Sequence, residues 1–295
     1  MKKRTFMAMA MAAVMAFSLT GCGSTSSDKT ASTEAQGAAA SEAKGSEAQS
    51  EAAPSEAAAS ESAGGTFTVG FDQDFPPMGF KGEDGSFTGF DLDLAAEAAK
   101  RMGLEVVYQP IAWDSKDAEL DAGTIDCIWN GFTMTGREDG YEWSAPYLDN
   151  SQVFVVREDS DIQTSADLAG KTVEVQADSS AEAALKEDAN KALSDSFAAI
   201  QTTPDYNTAL MDLDMGAVDA IAMDSTVAEY KITTGGLKLR TLDEPFATEE
   251  YAVGFKKGNS ELRDKVDAVL KEMASDGTMA KISTEWFGKD ITTIK

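Results

Sequence analysis

The run Leu120-Asp121-Ala122-Gly123-Thr124-Ile125-Asp126-Cys127-Ile128 is echoed by Leu213-Asp214-Met215-Gly216-Ala217-Val218-Asp219-Ala220-Ile221. In each, a helix-like stretch stops at a glycine, turns, and enters a short apolar strand. A chain that uses the same α-to-β turn twice is organised as two α/β units. Matching strands open the two units, Thr66-Phe67-Thr68-Val69-Gly70 in the first and Gly170-Lys171-Thr172-Val173-Glu174-Val175-Gln176 in the second. Between them, Asp91 to Met102 has helical spacing of Leu92, Ala95, Ala96 and Ala99. Gly103 caps it, and Leu104 to Tyr108 is the next strand. A further helix is expected over 181–190.

Two such units imply two lobes with a cleft between them. Ligands of open α/β sheets collect beyond the carboxyl ends of the strands. Four segments sit there: 72–78, 130–137, 176–180 and 223–225. All four carry polar or aromatic side chains.

The charge balance narrows the function. The chain has 51 acidic against 25 basic residues and no histidine, for a net charge of −26. Such a surface disfavours nucleic acid and anionic lipid headgroups as partners, and favours a well-hydrated monomer. Without histidine, the usual general base near neutral pH and the commonest transition-metal ligand are missing. The expectation is a protein without catalysis, cofactor or metal. Cys22 and Cys127 lie in unlike contexts and are not expected to pair; Cys127 reads as a small buried hydrophobe.

The start has its own logic. Lys2, Lys3 and Arg4 precede an apolar run from Phe6 to Leu19, a secretory signal over 1–21 and too short to span a bilayer. Leu19-Thr20-Gly21-Cys22 looks like a bacterial lipobox, a resemblance that implies acylation at Cys22 and anchoring to the cell membrane. Residues 23–64 contain no Leu, Ile, Val, Met or aromatic residue, so 22–64 is expected to be the lipidated cysteine and a disordered Ala/Ser/Glu tether. As a flexible coil it would reach about 35 Å.

Within the cleft segments, Arg137 follows Asn130-Gly131-Phe132-Thr133-Met134-Thr135-Gly136. An arginine among hydroxyls and glycine backbone suits a carboxylate, though a surface arginine is the commoner case. Asp224 could pair an ammonium group or cap the helix beginning at Ser225. Ser179 and Ser180, after Gln176, could receive an anion or simply cap a helix. Phe75, Trp113 and Phe132 could stack on a ligand, with core packing as the alternative for each. A fork from one lobe and an acid from the other match a zwitterion, so ligand would favour a closed hinge state.

From Gly65 onward the chain resembles the polar-amino-acid solute-binding proteins of ABC importers, with the periplasmic-binding-protein type II fold. The marks are Gly70-Phe71-Asp72 through Phe75-Pro76-Pro77, Thr88-Gly89-Phe90-Asp91-Leu92-Asp93-Leu94, and Asn130 through Arg137. Later come Asp167-Leu168-Ala169-Gly170-Lys171, Asp219 through Asp224, and Asp276-Gly277-Thr278 with Trp286-Phe287-Gly288. The resemblance implies a mixed sheet flanked by helices in each lobe and a two-strand hinge near 150–153 and 248–252. Lobe 1 would be 65–151 with 249–295, closed by helices at 261–275 and 279–287; lobe 2 would be 152–248. It implies an α-carboxylate on Arg137 with help from Gly131, Thr133, Ser179 and Ser180, and an α-ammonium on Asp224. Phe75 and Trp113 would meet the ligand side chain, with Asp72 near its end. Two departures stand out: only Gly136 separates Thr135 from Arg137, and Asp178 replaces a glycine before the serine pair.

The implied function is capture of a free amino acid, neutral polar or basic, and delivery to an ABC permease. The alternatives are a secreted dehydratase-type enzyme on the same fold and a ligand-sensing lipoprotein.

Overall fold

The computed structural model describes residues 64–294. The expected signal segment, the lipidation at Cys22 and the tether up to residue 63 lie outside them.

The chain opens with β1 (Thr66–Phe71) and a small antiparallel sheet of β2 (Asp74–Phe75), β3 (Gly79–Lys81) and β4 (Phe87–Thr88). Then come α1 (Phe90–Met102), β5 (Glu105–Pro110), a short 3-10 turn at Trp113–Ser115, and α2 (Lys116–Ala122). β6 (Cys127–Ile128) and β7 (Glu142–Trp143) follow, then the long β8 (Leu148–Arg157). Next are β9 (Thr172–Gln176), α3 (Ser180–Lys186), α4 (Asp188–Ser194), β10 (Ala199–Thr203) and α5 (Tyr206–Met215). β11 (Ala220–Asp224), α6 (Ser225–Gly235), β12 (Leu239–Thr241), β13 (Ala247–Tyr251) and β14 (Gly254–Phe255) lead to α7 (Ser260–Ser275) and α8 (Thr278–Phe287).

The strands form two main sheets. The first has the order β5-β1-β6-β14-β7; the second runs β10-β9-β11-β8-β12, with β13 also paired to β8. In both, the repeated strands pair in parallel; β14 joins the first sheet antiparallel, and the earlier strand β8 joins the second antiparallel. Helices α1, α7 and α8 pack together against the first sheet. β8 and β13 pair antiparallel from Leu148↔Tyr251 to Gln152↔Ala247, the place where the chain passes between the sheets.

The sequence echo has a structural counterpart at each step. Gly123 and Gly216 both adopt the left-handed conformation, with φ 74° and ψ 23°, that ends a helix. Thr124 N–H reaches back to the Glu119 carbonyl at 3.1 Å, and Ala217 N–H to that of Asp212 at 2.8 Å. The echoed aspartates also share a task. Asp126 Oδ2 accepts from Thr68 N–H at 2.7 Å, and Asp219 Oδ2 accepts from Thr172 N–H at 2.8 Å. Each ties the strand after the turn to the strand that opens its unit.

Packing follows the strand period. Phe67, Val69 and Phe71 alternate into the core, fully buried, while Thr66 points out. In β8 the period instead divides the strand between two cores. Val153 and Val155 join the larger cluster; Phe154 and Val156 join a separate one on the other face. That is why the segment reads as continuously apolar. Truncating Phe154 to alanine would cost roughly 3–5 kcal/mol.

Two expectations shift. The helix expected over 181–190 is two helices, α3 and α4, because Glu187 is extended (φ −67°, ψ 149°). There Asn190 Nδ2 and Glu187 N–H both donate to the Ala184 carbonyl and close the first helix. The second repeated strand takes in part of the 223–225 segment expected beyond its end, so that Asp224 is its last residue.

Candidate functional site

A cleft between the sheets collects ten side chains or backbone segments. Phe75, Trp113, Asn130, Gly131, Thr133 and Arg137 line it from the first sheet's connections. Gln176, Ser179, Ser180 and Asp224 line it from the second. Asp72 and Phe132, also expected there, are not part of this lining. Phe132 is fully buried, edge-on to Trp113 at 5.6 Å and beneath the Arg137 guanidinium at 5.4 Å. It supports the arginine from behind the cleft wall, so the core-packing alternative describes it. Asp72 bridges the two halves: its Oδ2 accepts from Gln176 Nε2 at 2.7 Å, and its Oδ1 from Asp74 N–H at 2.8 Å. Burial pushes its carboxyl up to about 6 despite those hydrogen bonds.

Arg137 reaches the cleft through the short turn. Gly136 is left-handed at φ 78°, and Arg137 N–H closes a turn onto the Met134 carbonyl at 2.8 Å. Nη1 donates to the Thr133 carbonyl at 3.3 Å and Nη2 to the Asp178 carbonyl at 3.4 Å. A guanidinium has further N–H donors for a carboxylate.

Gly131 sets the wall beside it, at φ 55°. A Cβ there would lie 2.9 Å from Phe75 Cε1 and 3.0 Å from Tyr251 Cε2. Its N–H donates to Asp91 Oδ2 at 2.5 Å. Asp91 is fully buried at the start of α1, and burial lifts its carboxyl to about 7.

The opposite wall divides the serines' roles. Ser179 Oγ caps α3 by accepting from Glu182 N–H at 3.1 Å. Ser180 Oγ accepts from Gln152 Nε2 at 3.0 Å. Asp224 stands at the cap position of α6 but makes no side-chain cap bond. Its Oδ1 instead accepts from Tyr251 Oη at 2.6 Å, Gln152 Nε2 at 2.8 Å and Asn150 Nδ2 at 3.0 Å. Burial, then the charge of Glu249, raises the Asp224 carboxyl well above the usual range.

Sequence reasoning missed Glu249, Asn150, Gln152 and Tyr251. They sit two apart on the paired strands β8 and β13, and Asn150 faces Glu249 in register. Asp149-Asn150-Ser151-Gln152 and Thr248-Glu249-Glu250 are polar at every position, so sequence alternation does not mark them; only the strand pairing buries Asn150, Gln152 and Glu249 while leaving Asp149 and Glu250 exposed. Lys116, not among the expected cleft residues, is 2% exposed, and its ammonium lies 5.4 Å from the Trp113 ring centroid and pairs with the Asp178 carboxylate. Among the described residues there is no cluster of metal-ligating side chains, and no helix long and apolar enough to cross a membrane.

Two α/β sheets joined by a pair of crossing strands, with a basic fork and a buried acid facing one cleft, define a two-sided receptor for a small polar ligand. The chain belongs to the bacterial extracellular solute-binding proteins, family 3, whose model matches residues 67–289. An L-cystine-binding protein of Escherichia coli (strain K12) is 33% identical over 231 residues, 77% of this chain and 85% of that protein. A Bacillus subtilis (strain 168) L-cystine-binding protein is also 33% identical over 231 residues, 77% of this chain and 83% of its own. Among solved structures, an ABC uptake transporter substrate-binding protein from Streptococcus pneumoniae with bound histidine superposes with a TM-score of 0.74. It is 38% identical and the match covers 77% of this chain and 94% of that one. These relatives are binding proteins of amino-acid transport, and the fold they share is the type II periplasmic-binding-protein fold.

Proposed function

We propose that this protein captures a free α-amino acid in the inter-sheet cleft and delivers it to an ABC importer. The observation that carries the reading is the convergence of Arg137 and Asp224 on one cleft from different sheets. The arginine fork receives the α-carboxylate, with Thr133 and the Gly131 backbone beside it; Asp224 receives the α-ammonium. Phe75 and Trp113 flank the side chain, while Asn130, Gln176, Ser179 and Ser180 complete the walls. Asp72 acts through Gln176, holding the two walls in register.

In this reading the lobes are 65–151 with 249–295, and 152–248, and β8 with β13 is the hinge. A ligand that touches both lobes favours the closed state. The side chain is neutral polar or basic: Asp72, Asp74, Asp114 and Asp205 line the adjoining hollow beyond Trp113, which opposes an acidic side chain. The similarity to histidine- and cystine-binding relatives supports the same range. A signal over 1–21, a lipid at Cys22 and the tether to 64 would hold the monomer at the outer face of the cell membrane, beside its permease.

Titration calorimetry of the purified protein against the proteinogenic amino acids and cystine tests the capture. Tight binding of one or a few neutral or basic amino acids is expected; no binding below about millimolar contradicts it. Fatty-acid labelling tests the anchor, and label retained by a Cys22→Ala protein contradicts it.

A further inference from the structure

Behind Asp224 stands a second buried acid that the capture chemistry does not use. Glu249 on β13 is 7% exposed, and Asp224 is 3% exposed. The two carboxylates share their donors. Asn150 Nδ2 donates to Asp224 Oδ1 at 3.0 Å and to Glu249 Oε1 at 2.7 Å. Gln152 Nε2 donates to the same two oxygens, at 2.8 Å each. Amide nitrogens that reach both acids place them in one polar site.

The surroundings supply no positive charge to match. Neither carboxylate enters an ion pair among the described residues. From α5, Tyr206 Oη lies 3.5 Å from Asp224 Oδ2; from β13, Tyr251 Oη lies 2.6 Å from Oδ1. Both phenols are held neutral, their ionisation pushed well up by burial. β8 presents only the amides, α3 the Ser180 hydroxyl, and α6 the Thr226 hydroxyl, 3.5 Å from Tyr251 Oη. Across the cleft, Arg137 is bonded to the Thr133 and Asp178 carbonyls, and Asp72 adds negative charge near Tyr206. Burial, then the Glu249 charge beside it, holds the Asp224 carboxyl well above the usual carboxylate range, and its proton is shared at the site of the common Asn150 and Gln152 donors.

We infer that Asp224 and Glu249 together hold a single proton in the ligand-free protein, and that an arriving α-ammonium takes its place, so that capture releases a proton to solvent. The inference rests on the capture reading above. The ammonium enters intact and no bond to its nitrogen changes. The proton leaves the carboxyl pair for water, and the pair, now doubly ionised, faces one positive charge. Affinity therefore rises with pH as Asp224 loses its proton, because ligand must displace that proton at lower pH and need not at higher pH. Glu249 thereby tunes how tightly Asp224 holds an ammonium.

Calorimetry with L-histidine, L-arginine and L-cystine, repeated at one pH in buffers of different ionisation enthalpy, counts the protons. About one proton released per bound ligand is expected for the wild type, near zero for Glu249→Gln, and retained release for Glu249→Asp. No release from the wild type, or undiminished release from Glu249→Gln, overturns the inference. Infrared difference spectra keep the test independent of how the variants fold. Ligand addition should remove one protonated-carboxyl band from the wild type beyond those of Asp72 and Asp91, and a difference spectrum with no such loss overturns the displacement. If none of the three amino acids binds at millimolar concentration, capture itself fails; the carboxyl band then still decides whether the pair holds a proton.

Discussion

Lys116, buried at the start of α2, pairs its ammonium with the carboxylate of Asp178 on the far side of the cleft. Asp178 sits at φ 58°, left-handed for a residue with a side chain, and its carbonyl also accepts from Arg137. Asp178 thus joins Lys116 and Arg137, from the first sheet's connections, to the connection that follows β9 in the second.

Removing that latch should loosen closure more than folding. Asp178 is 56% exposed, so water solvates it when Lys116→Met removes the partner. A loss of about 1 kcal/mol of closed-state preference makes ligand dissociation roughly fivefold faster. Stopped-flow dissociation kinetics check this; an unchanged rate would show that the pair does not restrain opening.

Gly131→Ala should cost binding through shape alone. The added Cβ meets ring atoms of Phe75 and Tyr251 near 3 Å, at a φ that disfavours any side chain. We expect about 1–3 kcal/mol of lost stability and at least a tenfold weaker complex, measured by thermal unfolding and calorimetry.

The buried Asp72 carboxyl gives a pH signature. Its value of about 6 in the folded protein lies above the ordinary 3.8, so between those values the folded state binds a proton that the unfolded chain has released. Stability from this group is therefore greatest below about pH 4 and falls as pH rises to about 6, by an amount on the order of 3 kcal/mol. Asp72→Asn should flatten the Tm-against-pH curve in that window. An identical slope in the variant would contradict the assignment.

The fold was readable where it is local. The helix–glycine–strand turn needs only nearby residues, and both copies formed with the same glycine geometry and the same aspartate tie. Most cleft residues were also visible, because strand ends mark such sites. What stayed hidden depends on register between distant strands. Glu249 meets Asp224 only because β13 and β11 flank β8, and the residues between them in sequence give no sign of that meeting. The broken helix at Glu187 was hidden for a different reason. Its residues are good helix formers, and closure by Asn190 interrupts them.

Arg137→Lys should weaken capture without harming the fold. A lysine supplies charge but not the planar fork, and its ammonium cannot both hold the Thr133 and Asp178 carbonyls and grip a carboxylate at two points. A loss of about 1.5–3 kcal/mol, roughly 10- to 100-fold in Kd, is expected by calorimetry, with Tm nearly unchanged.

Recognition at both backbone charges can be read from a single series of titrations. An amino acid that binds is compared with its N-acetyl form, which lacks the ammonium, and its carboxamide, which lacks the carboxylate. With Asp224 and Arg137 as the two anchors, both derivatives should bind at least a hundredfold more weakly, each losing about 3 kcal/mol or more. If either derivative binds as tightly as the parent amino acid, the two-anchor account is wrong.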